Sequence, residues 1–422
     1  MSPIFGLVDC NNFYPSCERA LCPILEGQPI VVLSNNDGCV VARSNEAKAL
    51  GIQMGVPEYQ IRSLLQRHRV QVFSSNYPLY GDLSQRVMET LEQFSCAIEV
   101  YSIDEAFLSL EGCGHRNLTE YGKTIRQTVK QWTGIPVSVG IAETKVLAKI
   151  ANRIAKRSLD MAGVCDLLTC PDRELLLGRV AVEDVWGVGP SSARLLRDHG
   201  ILTALQLREA DEQWIRQGLG IVGARLVQEL RGRSCLELEE CPAPKQGITC
   251  SRTFGRSVST LGEMEEAVSS YVSRAAEKLR GEGLVVSVLR VSITTNVFKD
   301  APQYANSVTC RLPTATDTTS ELIRAGIRGL RTIYRHGYAY NKAGVMFIGL
   351  SPASEVQSDL FDLQDRSRAK RLMTAFDAIN ARWGTGTIQY ASSGLSKGWT
   401  AQCHRRSPAY TTDWGQLPVA KA

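Results

Sequence analysis

At 422 residues the chain exceeds the roughly 250–300 residues at which a single hydrophobic core stops growing, so three or four domains are expected. With 44% hydrophobic and 22% charged residues, and no run near the ~18 apolar residues of a membrane span, the composition is that of a globular protein and excludes membrane-crossing helices. The net charge of +5 neither announces nor excludes a polyanionic partner, because its distribution decides more than its sum.

Thirteen cysteines lie scattered from 10 to 403 without a Cys-x-x-Cys pair. An odd count without metal-ligand spacing points to reduced thiols in a cytoplasmic protein. The opening "MSPIFGLVDCNNFY" lacks the charged n-region of an export signal, and its apolar run is too short for one.

In chain order, "PIFGLVDC" reads as a buried strand delivering Asp9 to its C-terminal end, and "PIVVLSN", "VQVFSS", "AIEVYSI" and "VSVGIA" read as further strands. Helical patterns at 81–94, 118–132 and 143–157 alternate with them, so the first 165 residues predict one α/β unit with a mixed sheet. From about 170 to 235 strands give way to short helical patterns punctuated by glycine. The stretch "LEECPAPKQ" then reads as a linker. Strands return at "LVVSVLRVSITT" and "QYANSVTCRL", beside helices at 263–281 and 318–333, as a second, smaller α/β unit. Between 241 and 350, 14 Lys/Arg stand against 8 Asp/Glu, so this segment carries the basic surplus. After "VMFIGLSP" the pattern weakens, and the segment from about 370 shows no repeat and no obvious chemistry.

Asp104 and Glu105 are adjacent in an otherwise aromatic and apolar run, "VYSIDEAFLSL". Carboxylates are rarely buried unless they are paired or bind a metal. Neighbours on a regular strand point to opposite faces, so the two can share a cation only where the chain turns or bulges. Asp9, at another strand end, is the natural third acid; Mg²⁺ takes such oxygen ligands together with substrate phosphates. The plain alternative is that these acids cap loops and strand ends. Lys145, Lys149, Arg153 and Lys156 form a basic stripe on a helix whose buried face carries Val146, Ile150 and Ile154, either a solvated face or a phosphate-binding one. In "CNNFY", polar residues at a strand-to-helix turn offer backbone N–H groups to phosphate. Phe13 and Tyr14 set rings beside whatever binds, unless they are simply core. Together these parts describe a nucleoside triphosphate held through metal ions.

The motifs "VDCNNFYPSCE", "VLSNNDGCVVARSNEAKALG", "YSIDEAF", "GIAETKVLAKIANRIAK" and "VWGVGPSSARLL" occur in the order and spacing of the Y-family DNA polymerases. The chain resembles their UmuC branch most closely, well over residues 4–350 and more weakly beyond. The resemblance implies an α+β multidomain right-hand polymerase with a ferredoxin-like palm and small fingers within 1–165 (fingers about 19–74). A helical thumb with a helix-hairpin-helix at 166–240, an α/β little finger at 243–350, and a linker with C-terminal extension at 351–422 would follow. It implies error-prone translesion synthesis in SOS mutagenesis, with two Mg²⁺ ions on Asp9, Asp104, Glu105 and the backbone carbonyl of Cys10. The dNTP would meet Asn12, Phe13, Tyr14 as the steric gate against a ribose 2'-OH, and Lys156. At the fingers positions where many members carry Tyr and Arg, this chain has Asn45 and Lys48, and Lys cannot form the bidentate fork of Arg.

The same resemblance implies primer-template DNA held without sequence readout by the Gly187 and Gly189 turn and by Arg252 and Arg256 of "SRTFGRS". A glycine turn of this kind also occurs as a simple inter-helix corner. "QSDLF" resembles a β sliding-clamp peptide, through Gln357, Leu360 and Phe361. The extension beyond 370 implies a UmuD'-like dimer and RecA as partners. Two rival readings stand beside this one: a nucleotidyl cyclase with a similar palm, and a non-enzymatic DNA-binding accessory protein that would leave Asp9, Asp104, Glu105 and Lys156 without a role.

Overall fold

The computed structural model describes residues 3–241, 243–357 and 364–417. The chain divides into two compact units, one of residues 1–34, 38–242 and 405–422, the other of 35–37 and 243–404.

In the first unit, β1 (Phe5–Cys10) leads into α1 (Phe13–Leu21), β2 (Ile30–Leu33), β3 (Val40–Arg43), α2 (Asn45–Ala49), α3 (Glu58–Arg67) and β4 (Gln71–Ser74). Then come α4 (Tyr77–Leu91), β5 (Ile98–Val100), β6 (Glu105–Ser109), α5 (Leu118–Thr133), β7 (Val137–Ala142), α6 (Lys145–Arg157) and β8 (Val164–Asp166). Helix α4 starts ahead of the predicted 81 because Pro78 fits its first turn, where no N–H partner is lost.

The main sheet runs β5-β6-β1-β7-β8, antiparallel except for the parallel β7–β8 pair. Alternation along its strands separates two cores. Phe5, Leu7 and Phe107 pack toward α6, whereas Val8, Ala106 and Leu108 pack toward α4 and α5.

The expected single mixed sheet is in fact two, since β2, β3 and β4 form their own sheet in the order β3-β2-β4. Val32 joins the core beside α4, while Val31 and Leu33 join a separate one with Val40, Ile52 and Leu65. A strand buried on both faces has no alternation, so its run reads the same in one sheet or two.

Helices α7 (Arg173–Gly178), α8 (Pro190–Asp198), α9 (Ala204–Glu209) and α10 (Glu212–Leu230) complete the unit and share the core under α6 through Leu177, Leu196, Leu207 and Val227.

The second unit comprises β9 (Gly247–Val258), α11 (Leu261–Gly281), β10 (Leu284–Thr295), β11 (Ala305–Thr316), α12 (Thr319–Ile333), β12 (Tyr340–Pro352) and α13 (Arg366–Trp383). Up to β12 this is a β-α-β-β-α-β order, with an antiparallel sheet β11-β10-β12-β9 packed against α11 and α12. All thirteen cysteines are free, and among the described residues no helix is long and apolar enough to cross a membrane.

Candidate active site

Asp9 and Glu105 are directly opposed in the β1–β6 register, so their side chains leave the sheet on one face. That is the face of Phe5, Leu7 and Phe107, covered by α6. Helix α6 lies close on the sheet because β7 carries glycine at 140, where a Cβ would stand 2.2 Å from the Asn152 backbone nitrogen. Asn152 secures the contact, its amide donating to the Leu7 carbonyl at 3.2 Å and the Ser138 carbonyl at 2.7 Å.

The basic stripe therefore faces acids rather than water. Lys156 pairs with Asp9, Lys149 with Glu105 at 2.6 Å, Arg153 with Asp184 and Lys145 with Glu99. Lys145 is 4% exposed and also donates to the Glu237 carbonyl at 2.6 Å, so it is spent inside the fold. The Lys149 ammonium sits 4.3 Å from the Tyr101 ring and 5.2 Å from that of Trp186, with the Trp186 indole N–H donating to the Tyr101 hydroxyl at 3.2 Å.

The chain does turn before β6. The N–H groups of Tyr101 and Ser102 both donate to the Glu105 carbonyl at 3.1 Å. The Cys10 N–H donates to the Asp104 carbonyl at 2.8 Å, and the Ser102 hydroxyl donates to the Asp104 carboxylate at 2.6 Å. Asp104 thereby faces a different cleft from Glu105, and Asp9 lines both. One, of about 460 Å³, is bounded by Asp9, Glu105, Lys149, Lys156 and the Glu183–Val188 turn. The other, of about 390 Å³, is bounded by Asp9, Cys10, Asn12, Phe13, Tyr14, Arg43, Lys48, Asp104 and Lys156.

Burial pushes the Asp9 carboxyl up to about 7, against the opposing pull of Lys156. Glu105 is held low: the hydrogen bond from Asp9 and the Lys149 ammonium outweigh its burial. Burial beside Asp9 and Asp104 drives the Cys10 thiol well up, leaving it inert. Among the described residues no three His, Cys, Asp or Glu side chains stand at metal-sharing distance. Lysine ammonium groups hold Asp9 and Glu105 instead, and the Ser102 hydroxyl holds Asp104. The donors are nevertheless carboxylate oxygens, the set that suits a hard divalent cation.

Asn12, in the left-handed region at φ 48°, opens α1. Its side-chain amide nitrogen donates to the Asn45 Oδ1 at 3.0 Å and its Oδ1 accepts from the Lys48 ammonium at 2.6 Å, so all three meet at one rim. Lys48 is pulled below the usual lysine range by burial and then by the charges of Arg43 and Lys156. Arg43 also lines the Asp104 cleft; it stands inside the motif "VLSNNDGCVVARSNEAKALG" but is not singled out there. It ends β3, donates to the Ile52 carbonyl at 2.5 Å, and keeps a buried Nε without a partner among the described residues. Within that motif its own signal is a lone charge closing an apolar strand. Phe13 is core, whereas Tyr14 is half-buried and stacks on Tyr80 with ring centroids 4.4 Å apart.

Gly187, at φ 96°, makes the turn before α8, and Gly189, in extended backbone, is the residue before its first turn; both are exposed. In the second unit Arg252 and Arg256 lie on one exposed edge of β9, with Arg256 paired to Glu263. Gln357 is exposed, while Leu360 and Phe361 lie outside the described residues.

Residues 8–153 match the impB/mucB/samB family, 245–360 its C-terminal domain, and 370–420 a domain of unknown function. The chain is 45% identical to protein UmuC of Salmonella typhimurium over 98% of this chain and 99% of that one. It is 43% identical to protein ImpB of the same organism over 99% and 100%. DNA polymerase IV of Desulfatibacillum aliphaticivorans is 30% identical over 91% and 95%. Among solved structures, a chimera of the Y-family polymerases Dbh and Dpo4 shares the fold, with a TM-score of 0.66 at 21% identity over 83% of this chain and 99% of that one. Such near end-to-end agreement over both catalytic and C-terminal domains leaves no room for the cyclase or the accessory protein. The chain belongs to the impB/mucB/samB family, the UmuC branch of the Y-family polymerases, and is a DNA-directed DNA polymerase of the error-prone, translesion kind that acts in SOS mutagenesis.

Proposed function

We propose that the two clefts sharing Asp9 form the dNTP and primer-terminus site of this polymerase. The observation that carries the reading is one cleft in which Asp9 and Asp104 meet Lys156, Lys48 and Arg43 beside the Tyr14 ring. Three cations crowd one another there, and an anion such as a triphosphate relieves their repulsion.

Asp9, Asp104, Glu105 and the Cys10 carbonyl are the groups that would hold two Mg²⁺ ions, which when bound activate the primer 3'-OH and neutralise the leaving pyrophosphate. Lys156, paired with Asp9 in the free protein, passes to an incoming phosphate and frees the carboxylate for the cation. Lys48 and Asn45, tied to Asn12, draw the fingers rim onto the triphosphate. Tyr14, backed by Tyr80, presents its ring to the sugar and excludes a 2'-OH. These residues do no covalent chemistry; they position and neutralise, which is what in-line nucleotidyl transfer demands.

Outside the site, Gly187, Gly189, Arg252 and Arg256 serve the DNA backbone, and Gln357, Leu360 and Phe361 the β sliding clamp. A UmuD'-like dimer and RecA complete the assembly in the cytoplasm. Mg²⁺-dependent primer extension by wild type and Asp104→Ala on undamaged and lesion-bearing templates tests the site. Substantial extension by the variant would overturn it.

A further inference from the structure

Residues 405–417, the end of the segment that matches a domain of unknown function, belong to the same compact unit as the palm acids. The contact is built, not incidental. The Ser74 N–H donates to the Arg405 carbonyl at 3.0 Å, and the Arg405 N–H donates back to the Ser74 hydroxyl at 3.0 Å. Arg405 also pairs with Glu58 at 3.5 Å.

Two residues on, Ser407 is 6% exposed. Its carbonyl and hydroxyl oxygens accept from the Asn76 amide at 3.1 and 2.9 Å, and its own hydroxyl donates to the Glu18 carboxylate at 3.1 Å. Glu18 is 1% exposed and accepts a second hydrogen bond, at 2.7 Å, from the Tyr80 hydroxyl. Tyr80 is fully buried, and its ring lies 4.4 Å from that of Tyr14 at an interplanar angle of 14°.

A chain of contacts thus runs from the C-terminal segment to the ring that borders the dNTP cleft. A carboxylate as buried as Glu18 depends on each donor it keeps, and losing one shifts its geometry and that of the partner left behind.

We propose that Ser407 and Glu18 are positioning residues for sugar discrimination, with the C-terminal segment bracing Tyr80 so that its ring holds Tyr14 in place against the nucleotide sugar. The proposal rests on the reading of Tyr14 as the sugar gate. It gives a local task inside the polymerase unit to residues in the domain of unknown function. Stacked rings have a shallow preference for one offset, so an anchor on the Tyr80 hydroxyl is what sets where the Tyr14 face lies.

The test is single-nucleotide incorporation of matched dNTP and rNTP by full-length protein, read as the ratio of the two kcat/KM values. That ratio is independent of how much of a preparation is folded. Ser407→Ala is expected to raise relative rNTP use by about threefold to tenfold, the loss of one buried hydrogen bond, with Tyr80→Phe acting in the same direction. Ser407→Thr, which keeps the hydroxyl, is expected to restore the wild-type ratio. In a Tyr14→Ala background, where rNTP use is already high, Ser407→Ala is expected to add nothing, because both act through one ring.

If Tyr14→Ala leaves the ratio unchanged, the gate reading itself fails. If Tyr14→Ala relaxes the ratio but Ser407→Ala and Tyr80→Phe do not, the gate stands and the brace is overturned. Additive effects in the double variant overturn it equally.

Discussion

Lys156 pairs with Asp9, joining the last turn of α6 to the end of β1, and both residues line both clefts. A buried acid and a half-exposed lysine share one place, and a metal ion and a phosphate would separate them.

Lys156→Ala is therefore expected to raise the KM for dNTP by about 10- to 100-fold, the range for a lost charge-assisted hydrogen bond, with a smaller fall in kcat. Steady-state primer extension reads this directly. An unchanged KM would show that the lysine serves only the apo protein.

Asp104→Ala is expected to reduce primer extension by on the order of 10²–10³ or more while DNA affinity stays within about twofold, since the role proposed for Asp104 is on developing charge rather than on the duplex. Gel-shift binding beside an extension time course separates the two. A parallel loss of DNA binding would point to a structural role.

Burial holds Asp9 at about 7, against an ordinary 3.8. The folded state keeps a proton that the unfolded chain has released. Its contribution to stability is full below 3.8 and is lost as pH rises through 7. A cation at Asp9 must displace that proton, so added Mg²⁺ is expected to raise the unfolding temperature more at pH 8 than at pH 6. Equal shifts at the two values would remove Asp9 from the ligands.

Arg43→Ala is expected to weaken dNTP binding while leaving kcat nearly unchanged, because Arg43 lines the cleft but, among the described residues, makes no ion pair or hydrogen bond with the acids that line it. Isothermal titration with a non-hydrolysable dNTP and primer-template checks it. Unaltered affinity would confine the residue to bracing β3 through Ile52.

Gly140→Ala drives a methyl group into the α6 backbone and is expected to cost about 1–3 kcal/mol or more, with loss of activity as the stripe lifts off the acids. Urea unfolding measures the first effect, and wild-type stability in the variant would contradict the packing.

Much of this protein is legible in its amino-acid sequence. Asp9, Asp104, Glu105 and Lys156 stand in ordered motifs whose residue types state their chemistry, and the strands around them are marked by apolar runs. In the second unit β10 is equally plain, because it occupies the very stretch that the β-branched pattern marks, whereas β9 is not marked as a strand. Pairing across sequence is not legible. That Lys145 is consumed by Glu99 and Arg153 by Asp184 depends on which face of α6 meets which turn, and a helical stripe alone reads the same against water or against acids. Arg43 stands inside a motif, but one charge at a strand end carries no pattern that assigns it to the cleft.

The sequence by itself pointed to the family and to Asp9, Asp104 and Glu105 as acids at the ends of apolar strands, since these follow from local spacing and residue chemistry. Tertiary structure alone decided that β2, β3 and β4 form their own sheet, that Asp9 and Glu105 oppose each other across β1 and β6, that Asp104 and Glu105 open into different clefts, and that Ser407 meets Glu18 from 389 positions away. Contacts at such separation obey burial and hydrogen-bond satisfaction in three dimensions, and no period along the chain encodes them.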